Sequence, residues 1–394
     1  MPIFQPFPGV RYDTSTVRLD QVIAPPYDIV GSAERDMLAH RHPCNAIHLE
    51  LPEPDLANGK DRYVAAAELL DDWLGRGVLV ADPVPAFYPY RMTERDGTTT
   101  TGVIGALGIG DGVLPHEETL PKPRSDRLDL LRATGANLSP IWGLSLTAGL
   151  TATFAPDGPP VADAFDDDGV RHQLWVLDSP DAERAVAAAV AASPVVLADG
   201  HHRYETARAY RQEARDANRG RPGDYDAVMA LVVELAQDQL HVGPIHRLVS
   251  GLPEGTDLVE LLGRSFDAVH AGAATESVVG ALVSSGSLAL VTPKDAWLLT
   301  VQPDAFQRAG TDLVAGLVDT ALADASTASL SYSARWQEAL AAVSGGEAQA
   351  AVLLQPVTVP QIAAWAAARR RMPPKTTYFS PKPRTGMVLR LLGD

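Results

Sequence analysis

Pro194-Val195-Val196-Leu197-Ala198-Asp199-Gly200-His201-His202-Arg203-Tyr204-Glu205 is the stretch on which the reading of this chain turns. Residues 194–198 form a short apolar run, which reads as a strand, and residues 204–218 carry a helical pattern. Between them Gly200 permits a sharp turn and brings backbone N–H groups close to a ligand with no Cβ in the way. The helix that follows aims its N-terminus, with its partial positive charge, at the same place. Arg203 adds a planar, bidentate grip suited to phosphate oxygens. His201 and His202 can donate hydrogen bonds, shuttle protons or help to hold a metal. Asp199, at the carboxyl end of the strand, suits a base or a magnesium ligand. The plainer alternative, in which Asp199 only caps a helix beside two surface histidines, leaves the crowding of polar groups on one turn unexplained.

Working outward, Ser179 and Pro180 mark a helix start ahead of residues 181–192. Ala227–Glu234 reads as a strand that leads towards 241–247. In the N-terminal part, 45–51, 86–92 and 99–109 read as strands. Residues 61–74 read as an amphipathic helix with Val64, Ala67, Leu70 and Leu74 on one face. Residues 153–169 are rich in Pro, Asp and Gly and read as a linker or hairpin loop. From about 255 the pattern is helix, strands at 288–292 and 296–301, helix, strand at 350–354, helix. Residues 387–392 read as a strand returning to the core. Strands alternating with helices predict an α/β fold, α+β in its mixed sheets. Three segments follow: 1–160, a phosphate-binding core at 161–250, and 251–394.

Composition narrows the function classes. The 394 residues are 46% hydrophobic and 21% charged, the balance of a packed globular protein. A net charge of −16 argues against broad adhesion to nucleic acid or anionic lipid. The single cysteine, Cys44, allows no intramolecular disulfide and no thiolate zinc cage. The opening residues lack the basic and apolar regions of a signal peptide, and no apolar run approaches a membrane span. A cytoplasmic protein without a membrane partner is the expectation, acting on a small phosphorylated ligand.

Four further constellations stand out. Leu114-Pro115-His116-Glu117-Glu118-Thr119-Leu120-Pro121-Lys122-Pro123 is stiffened by prolines, which place His116, Glu117 and Lys122. Asn137 and Ser139 follow in a run of small hydrogen-bonding residues able to line a ligand floor. Gly243-Pro244-Ile245-His246-Arg247 sets His246 beside Arg247. The tail 371–386 carries Lys375, Thr376 and Lys382 among prolines and hydroxyls, a basic exception in an acidic chain. A rigid turn, Ala24-Pro25-Pro26-Tyr27-Asp28, presents Tyr27 and Asp28.

These motifs, in this order, resemble the domain-of-unknown-function 1015 family, over residues 25 to 386. The sequence departs from that pattern at Gly135 and Ile245. The central turn is similar to the Gly-x-x-Arg signature of the ParB/sulfiredoxin superfamily, whose members hold nucleotide phosphates there. That resemblance implies a ParB/sulfiredoxin-like core with flanking α/β subdomains. It fits the partition proteins poorly, since neither a DNA-reading helix-turn-helix nor a basic surface is evident. It fits sulfiredoxins poorly because the one cysteine is far from the turn. A small-molecule kinase needs neither, and the free-serine kinases of the superfamily make L-serine the leading acceptor. By this resemblance Gly200 and Arg203 bind the transferring phosphate, while His201, His202, Lys375 and Lys382 neutralise its charge. Asp199 or Glu117 takes the hydroxyl proton, with Asp199 alternatively holding Mg²⁺. His116, Lys122, Asn137, Ser139, His246, Arg247 and Thr376 complete the phosphate or nucleotide grip, and Tyr27 and Asp28 face the acceptor. The donor is ATP, ADP or pyrophosphate, because no Walker-type loop selects among them, and the reaction can run in reverse on phosphoserine. A nucleotide-responsive regulatory protein using the same pocket, or a phosphatase of the same metabolite, are the alternatives.

Overall fold

In a computed structural model, residues 1–115, 124–323, 325 and 327–393 are described. They divide into two compact units, Met1–His241 with Pro381–Asp394, and Val242–Ser380.

The first unit is built on a mixed sheet, nine-stranded among the described residues. Its strands run in the order Val113–Pro115, Val195–Asp199, Ile141–Ser145, Ala227–Glu234, Thr99–Gly108, Tyr88–Thr93, Arg171–Leu174 and Ala162–Phe165, with Phe4–Gln5 also paired to Thr99–Gly108. Val195–Asp199 lies parallel to Val113–Pro115, and Ala227–Glu234 parallel to Ile141–Ser145. The other pairings are antiparallel. Alternate residues of neighbouring strands share a face: Val195 and Leu197, Ile141, and Val228, Ala230 and Val232 bury together. Val186 and Val190 of the helix Pro180–Ala191, and Tyr204 and Ala207 of the helix His201–Ala217, complete that layer. Each such valine or leucine taken from water stabilises the unit by roughly 1.5–3 kcal/mol before entropy is counted.

The mixed α/β reading stands, and so does the central strand-turn-helix, with the helix beginning directly after Gly200 rather than at Tyr204. The Ser179 hydroxyl accepts the Ala182 N–H and Pro180 opens its helix, as their order predicts. Residues 45–51 correct the reading: they hold a short helix, Ile47–Glu50, not a strand. Asn45 is the cause, because its side-chain oxygen accepts the Ile47 N–H and starts a turn that competes with extended structure. The helix at Arg62–Gly75 is present, capped by Asp61, but it buries Ala66, Leu70 and Trp73, and Val64 is exposed. Trp73 carries the largest apolar surface in that helix and sets its buried face. Within 153–169 the strand Ala162–Phe165 turns back onto Arg171–Leu174 as a hairpin.

The second unit holds a six-stranded antiparallel sheet among the described residues, ordered Phe266–Ala273, Asp295–Val301, Leu288–Val291, Ala350–Leu353, His246–Ser250, Ser329–Ser333. Leu290, Ala350 and Val352 pack on one face against Leu258, Leu262, Leu317 and Val318. Ala289, Val291, Ala351 and Leu353 pack on the other against Val279, Ala339 and Val343. A sheet covered on both faces explains strands that read as continuous apolar runs. The sequence reading missed Phe266–Ala273 and Ser329–Ser333, the two edge strands, whose exposed residues, Val269 apart, are polar or small. The division near 160 falls inside the first unit, since strands from 88 to 234 share one sheet; the second unit begins at Val242, and the chain from Pro381 on belongs to the first. Among the described residues no helix is long and apolar enough to cross a membrane.

Candidate functional site

The turn after Val195–Asp199 is prepared one residue early. Pairing with Ile141–Ser145 runs Leu197 to Gly143 and then Asp199 to Trp142, so a bulge falls at Ala198. Such an extra residue bends a strand and re-aims the next side chain. Gly200 then adopts φ 81°, ψ 28°, the left-handed region, and serves as N-cap of His201–Ala217 without a side-chain cap. A Cβ there would lie 3.1 Å from Ile141 and 3.2 Å from the Arg203 guanidinium. Glycine is thus required twice, by conformation and by the close approach of Arg203.

Asp199 accepts a hydrogen bond from Lys382 Nζ at 2.7 Å, across 183 residues of sequence. The pair is largely enclosed, with side-chain exposures of 20% for Asp199 and 10% for Lys382. Burial pushes the Asp199 carboxyl up, but Lys382 and Arg203 outweigh it and hold the group well below the usual carboxylate range. An acid held ionised this firmly is a poor proton acceptor near neutrality. Its chemistry is that of a fixed anion that orders a lysine or a metal ion.

Arg203 donates from Nη1 to Ser139 Oγ at 3.0 Å and to the Pro140 carbonyl at 2.5 Å. Burial works against its protonated form, but Asp28, Asp199, Glu50 and Tyr27 outweigh it and raise the guanidinium above its ordinary value. The Tyr27 hydroxyl is pushed up to about 12, chiefly by burial, in surroundings that include Arg203, Asp28 and Arg127. Arg127 stacks over the Tyr27 ring at 4.4 Å and donates to the Glu50 carbonyl at 2.6 Å. Tyr27, Asp28, Ser139, Asp199, Gly200, Arg203 and Lys382 are therefore gathered in the first unit. His201 is half-buried and His202 exposed on the first turn of the same helix.

Asn137 is occupied structurally: its side-chain oxygen accepts the Met229 N–H at 2.9 Å and one Arg390 N–H at 3.4 Å. His116, Glu117 and Lys122 lie outside the described residues. His246, Arg247, Lys375 and Thr376 belong to the second unit. There Arg247, fully buried, donates twice to Asp319 at 2.9 Å and to the carbonyls of Ile245 and Lys375. His246 Nδ1 accepts the Leu354 N–H at 3.1 Å, and burial, with Arg247 beside it, pushes the imidazole down to about 4. Those contacts are the ones of a unit's own framework.

Sequence reasoning missed Glu50, Arg127 and the anchor of the tail. Glu50 is 2% exposed, and burial raises its carboxyl despite Arg127 and Arg203. Arg384 donates to Asp166, whose Oδ2 also meets His172 Nε2 at 2.9 Å, and His172 Nδ1 meets the Tyr90 hydroxyl at 2.7 Å. Arg384 stood in the quoted tail; nothing in its spacing names a partner more than 200 residues away.

A family model described as "Protein of unknown function (DUF1015)" matches residues 4–322. The chain belongs to the DUF1015 family. The match takes in the Asp199-Gly200-His201-His202-Arg203 turn and stops short of the Lys382 tail. No curated protein matches this DUF1015 chain significantly. Among solved structures it is similar to a free serine kinase in complex with AMP, at 14% identity and TM-score 0.35, over 68% of this chain and 84% of that one. It is also similar to SbnI with C-terminal truncation from Staphylococcus aureus, at 13% identity and TM-score 0.41, over 72% and 85%. A conserved hypothetical protein from Pyrococcus furiosus aligns at 13% identity and TM-score 0.37, over 71% and 90%. Likeness at this level leaves activity to be argued from the chain's own residues.

Proposed function

We propose that this DUF1015 chain is a phosphotransferase that moves a phosphate onto, or off, a small hydroxylated metabolite, with free L-serine as the leading acceptor. The observation that supports it most is the Lys382–Asp199 pair set against the Gly200 turn and Arg203. A helix N-terminus, a guanidinium and an ammonium around one glycine turn make a cradle for a phosphate, whose developing charge they stabilise. Gly200 leaves room for phosphate oxygens to approach the backbone. Lys382, held by Asp199, and Arg203, held by Ser139 and the Pro140 carbonyl, supply the two cations. His201 and His202 add donors at the rim, and in this reading Tyr27 and Asp28 border the acceptor.

The ionised Asp199 suits Mg²⁺ better than it suits proton removal, because Mg²⁺ takes one or two carboxylates together with substrate phosphates. Glu117 is then the residue to take the hydroxyl proton. The Gly-His-His-Arg turn supports a ParB/sulfiredoxin-like phosphate site, and the donor is ATP, ADP or pyrophosphate.

The test is a thermal-shift screen of the full chain against ATP, ADP, CTP, pyrophosphate, phosphoserine and serine, with and without Mg²⁺, beside Arg203→Ala. A ligand at about 100 times its Kd adds about 2.7 kcal/mol. A phosphate donor with serine or phosphoserine should stabilise the wild type and leave Arg203→Ala unmoved. Stabilisation by CTP alone would favour the nucleotide-responsive switch, and no response to any phosphate compound would sink the phosphate reading.

A further inference from the structure

Arg384 is caught at two points by one ring of hydrogen bonds. Its backbone N–H donates to the Tyr90 hydroxyl oxygen at 3.2 Å, and its guanidinium Nε donates to Asp166 Oδ2 at 2.9 Å. His172 joins the two arms, with Nδ1 2.7 Å from the Tyr90 hydroxyl and Nε2 2.9 Å from the same Asp166 oxygen. Tyr90 and His172 are fully buried and the Asp166 side chain is 5% exposed, so water competes little for these groups. The direction of each bond follows from its neighbour. Burial pushes the Asp166 carboxyl up, but His172 and Arg384 outweigh it and hold it ionised, so Asp166 only accepts. Burial pushes the His172 imidazole down, which leaves a neutral ring with one hydrogen. That hydrogen belongs on Nε2, facing Asp166. Nδ1 is then an acceptor, Tyr90 donates to it, and the Tyr90 oxygen is left to accept from Arg384.

From Arg384 the chain runs back through Pro383 to Lys382 and Pro381. A proline fixes its own φ and confines the residue before it to extended conformations, so Lys382 has little backbone freedom relative to Arg384. Pro381 and Pro383 are buried, and Thr385 exchanges backbone hydrogen bonds with Ala24 at 2.8 and 3.1 Å. We infer that Tyr90 and His172 are positioning residues for Lys382: the ring they close on Arg384 sets where the Lys382 ammonium stands against Asp199, and it does so with the imidazole hydrogen on Nε2. The inference rests on the phosphate site proposed above for the use made of Lys382, but not for the ring itself. The Arg384–Asp166 pair alone would hold the guanidinium and leave several rotatable bonds between it and the backbone. The Tyr90 arm removes that freedom by holding the backbone N–H directly.

The test uses the full chain and begins with a readout that needs no phosphate, the rate at which acetic anhydride acylates Lys382 at neutral pH, followed by mass spectrometry. The Lys382 side chain is 10% exposed, and losing one neutral hydrogen bond shifts an equilibrium by roughly two- to tenfold. Tyr90→Phe should therefore be acylated at Lys382 about two- to tenfold faster than the wild type. His172→Gln keeps a donor for Asp166 but gives Tyr90 no acceptor, and should show a smaller rise. Val186→Ala, in the same unit but outside the ring, should lower the melting temperature and leave that rate unchanged. In nitrogen-15 NMR of histidine-labelled protein, the His172 signals, identified by their absence from His172→Gln, should be those of a neutral imidazole with its hydrogen on Nε2. Calorimetric titration with Mg-pyrophosphate should show affinity reduced about two- to tenfold in Tyr90→Phe. Unchanged acylation in Tyr90→Phe, an equal rise in Val186→Ala, a hydrogen on Nδ1, or pyrophosphate binding that Tyr90→Phe leaves unaltered overturns the inference. If acylation responds as expected but pyrophosphate binds no form of the protein, the positioning role stands and the phosphate reading falls.

Discussion

Gly200 is the residue on which the site's geometry depends most directly. Its φ of 81° costs an L-residue roughly 1–2 kcal/mol, and a Cβ would press on the Arg203 guanidinium at 3.2 Å. Gly200→Ala should lower the melting temperature of the first unit by about 2–8 °C and remove phosphate binding, read by calorimetry and titration. His246 supplies a residue-scale prediction for the second unit. Its folded value near 4 lies below the ordinary 6.5, so the unfolded chain takes up the proton first as pH falls. Stability is complete above about pH 6.5 and declines towards pH 4, with about 2 kcal/mol gone at pH 5. Hydrogen-exchange protection of His246–Ser250 should fall accordingly between pH 7 and 5, and stay flat in His246→Gln. Of these residues Gly200, Arg203 and Lys382 were legible, because a glycine turn, a strand end and a basic island leave marks in a sequence. Glu50 was not, since a lone glutamate at the end of an apolar run looks like any solvated acid until its burial is known.

Among elements, the tail segment and its anchor matter most. Arg384 holds the tail through Asp166, which His172 and Tyr90 support, and Lys382 sits two residues before it. Asp166 is held well below the ordinary range, His172 and Arg384 outweighing burial. Removing one partner of so enclosed a cluster leaves a buried charge uncompensated, which costs about 3 kcal/mol. Arg384→Ala should therefore destabilise the first unit by about that amount and, by loosening Lys382, weaken pyrophosphate binding about tenfold; Arg384→Lys should restore stability more than it restores binding, because one ammonium cannot reproduce the fork. Element types were readable where period and caps agreed, as at Ser179-Pro180 and Ala227–Glu234. They failed at 45–51, where one asparagine outweighed an apolar pattern, and at the edge strands, whose half-exposed residues lose the apolar run of their central neighbours.

For the whole molecule the division at 241/242 and 380/381 is the main lesson. The second unit enters through His241–Gly243 and leaves through Tyr378–Ser380, two strands that pair with each other. A segment with adjoining ends and its own two-faced core meets the description of an inserted domain. Residues 242–380 expressed alone should melt cooperatively by circular dichroism, whereas residues 1–241 alone, without the tail, should not. No pattern in the sequence announces this, because a discontinuous unit is defined by contacts between chain segments that local periodicity never samples.

Val10 pairs with Leu389 and Ala24 with Thr385, so segments made before the second unit are stitched to a tail made after it. During synthesis the turn, the sheet and the buried glutamate all emerge before the second unit, and at the usual pace of the ribosome the lysine follows on the order of ten seconds later. A nascent chain therefore carries Asp199 without its lysine for that interval and cannot finish its cradle until the second unit has been made. Messages cut short after residue 380 would yield a second unit able to fold on an incomplete partner, a product that quality control can recognise by its open seam.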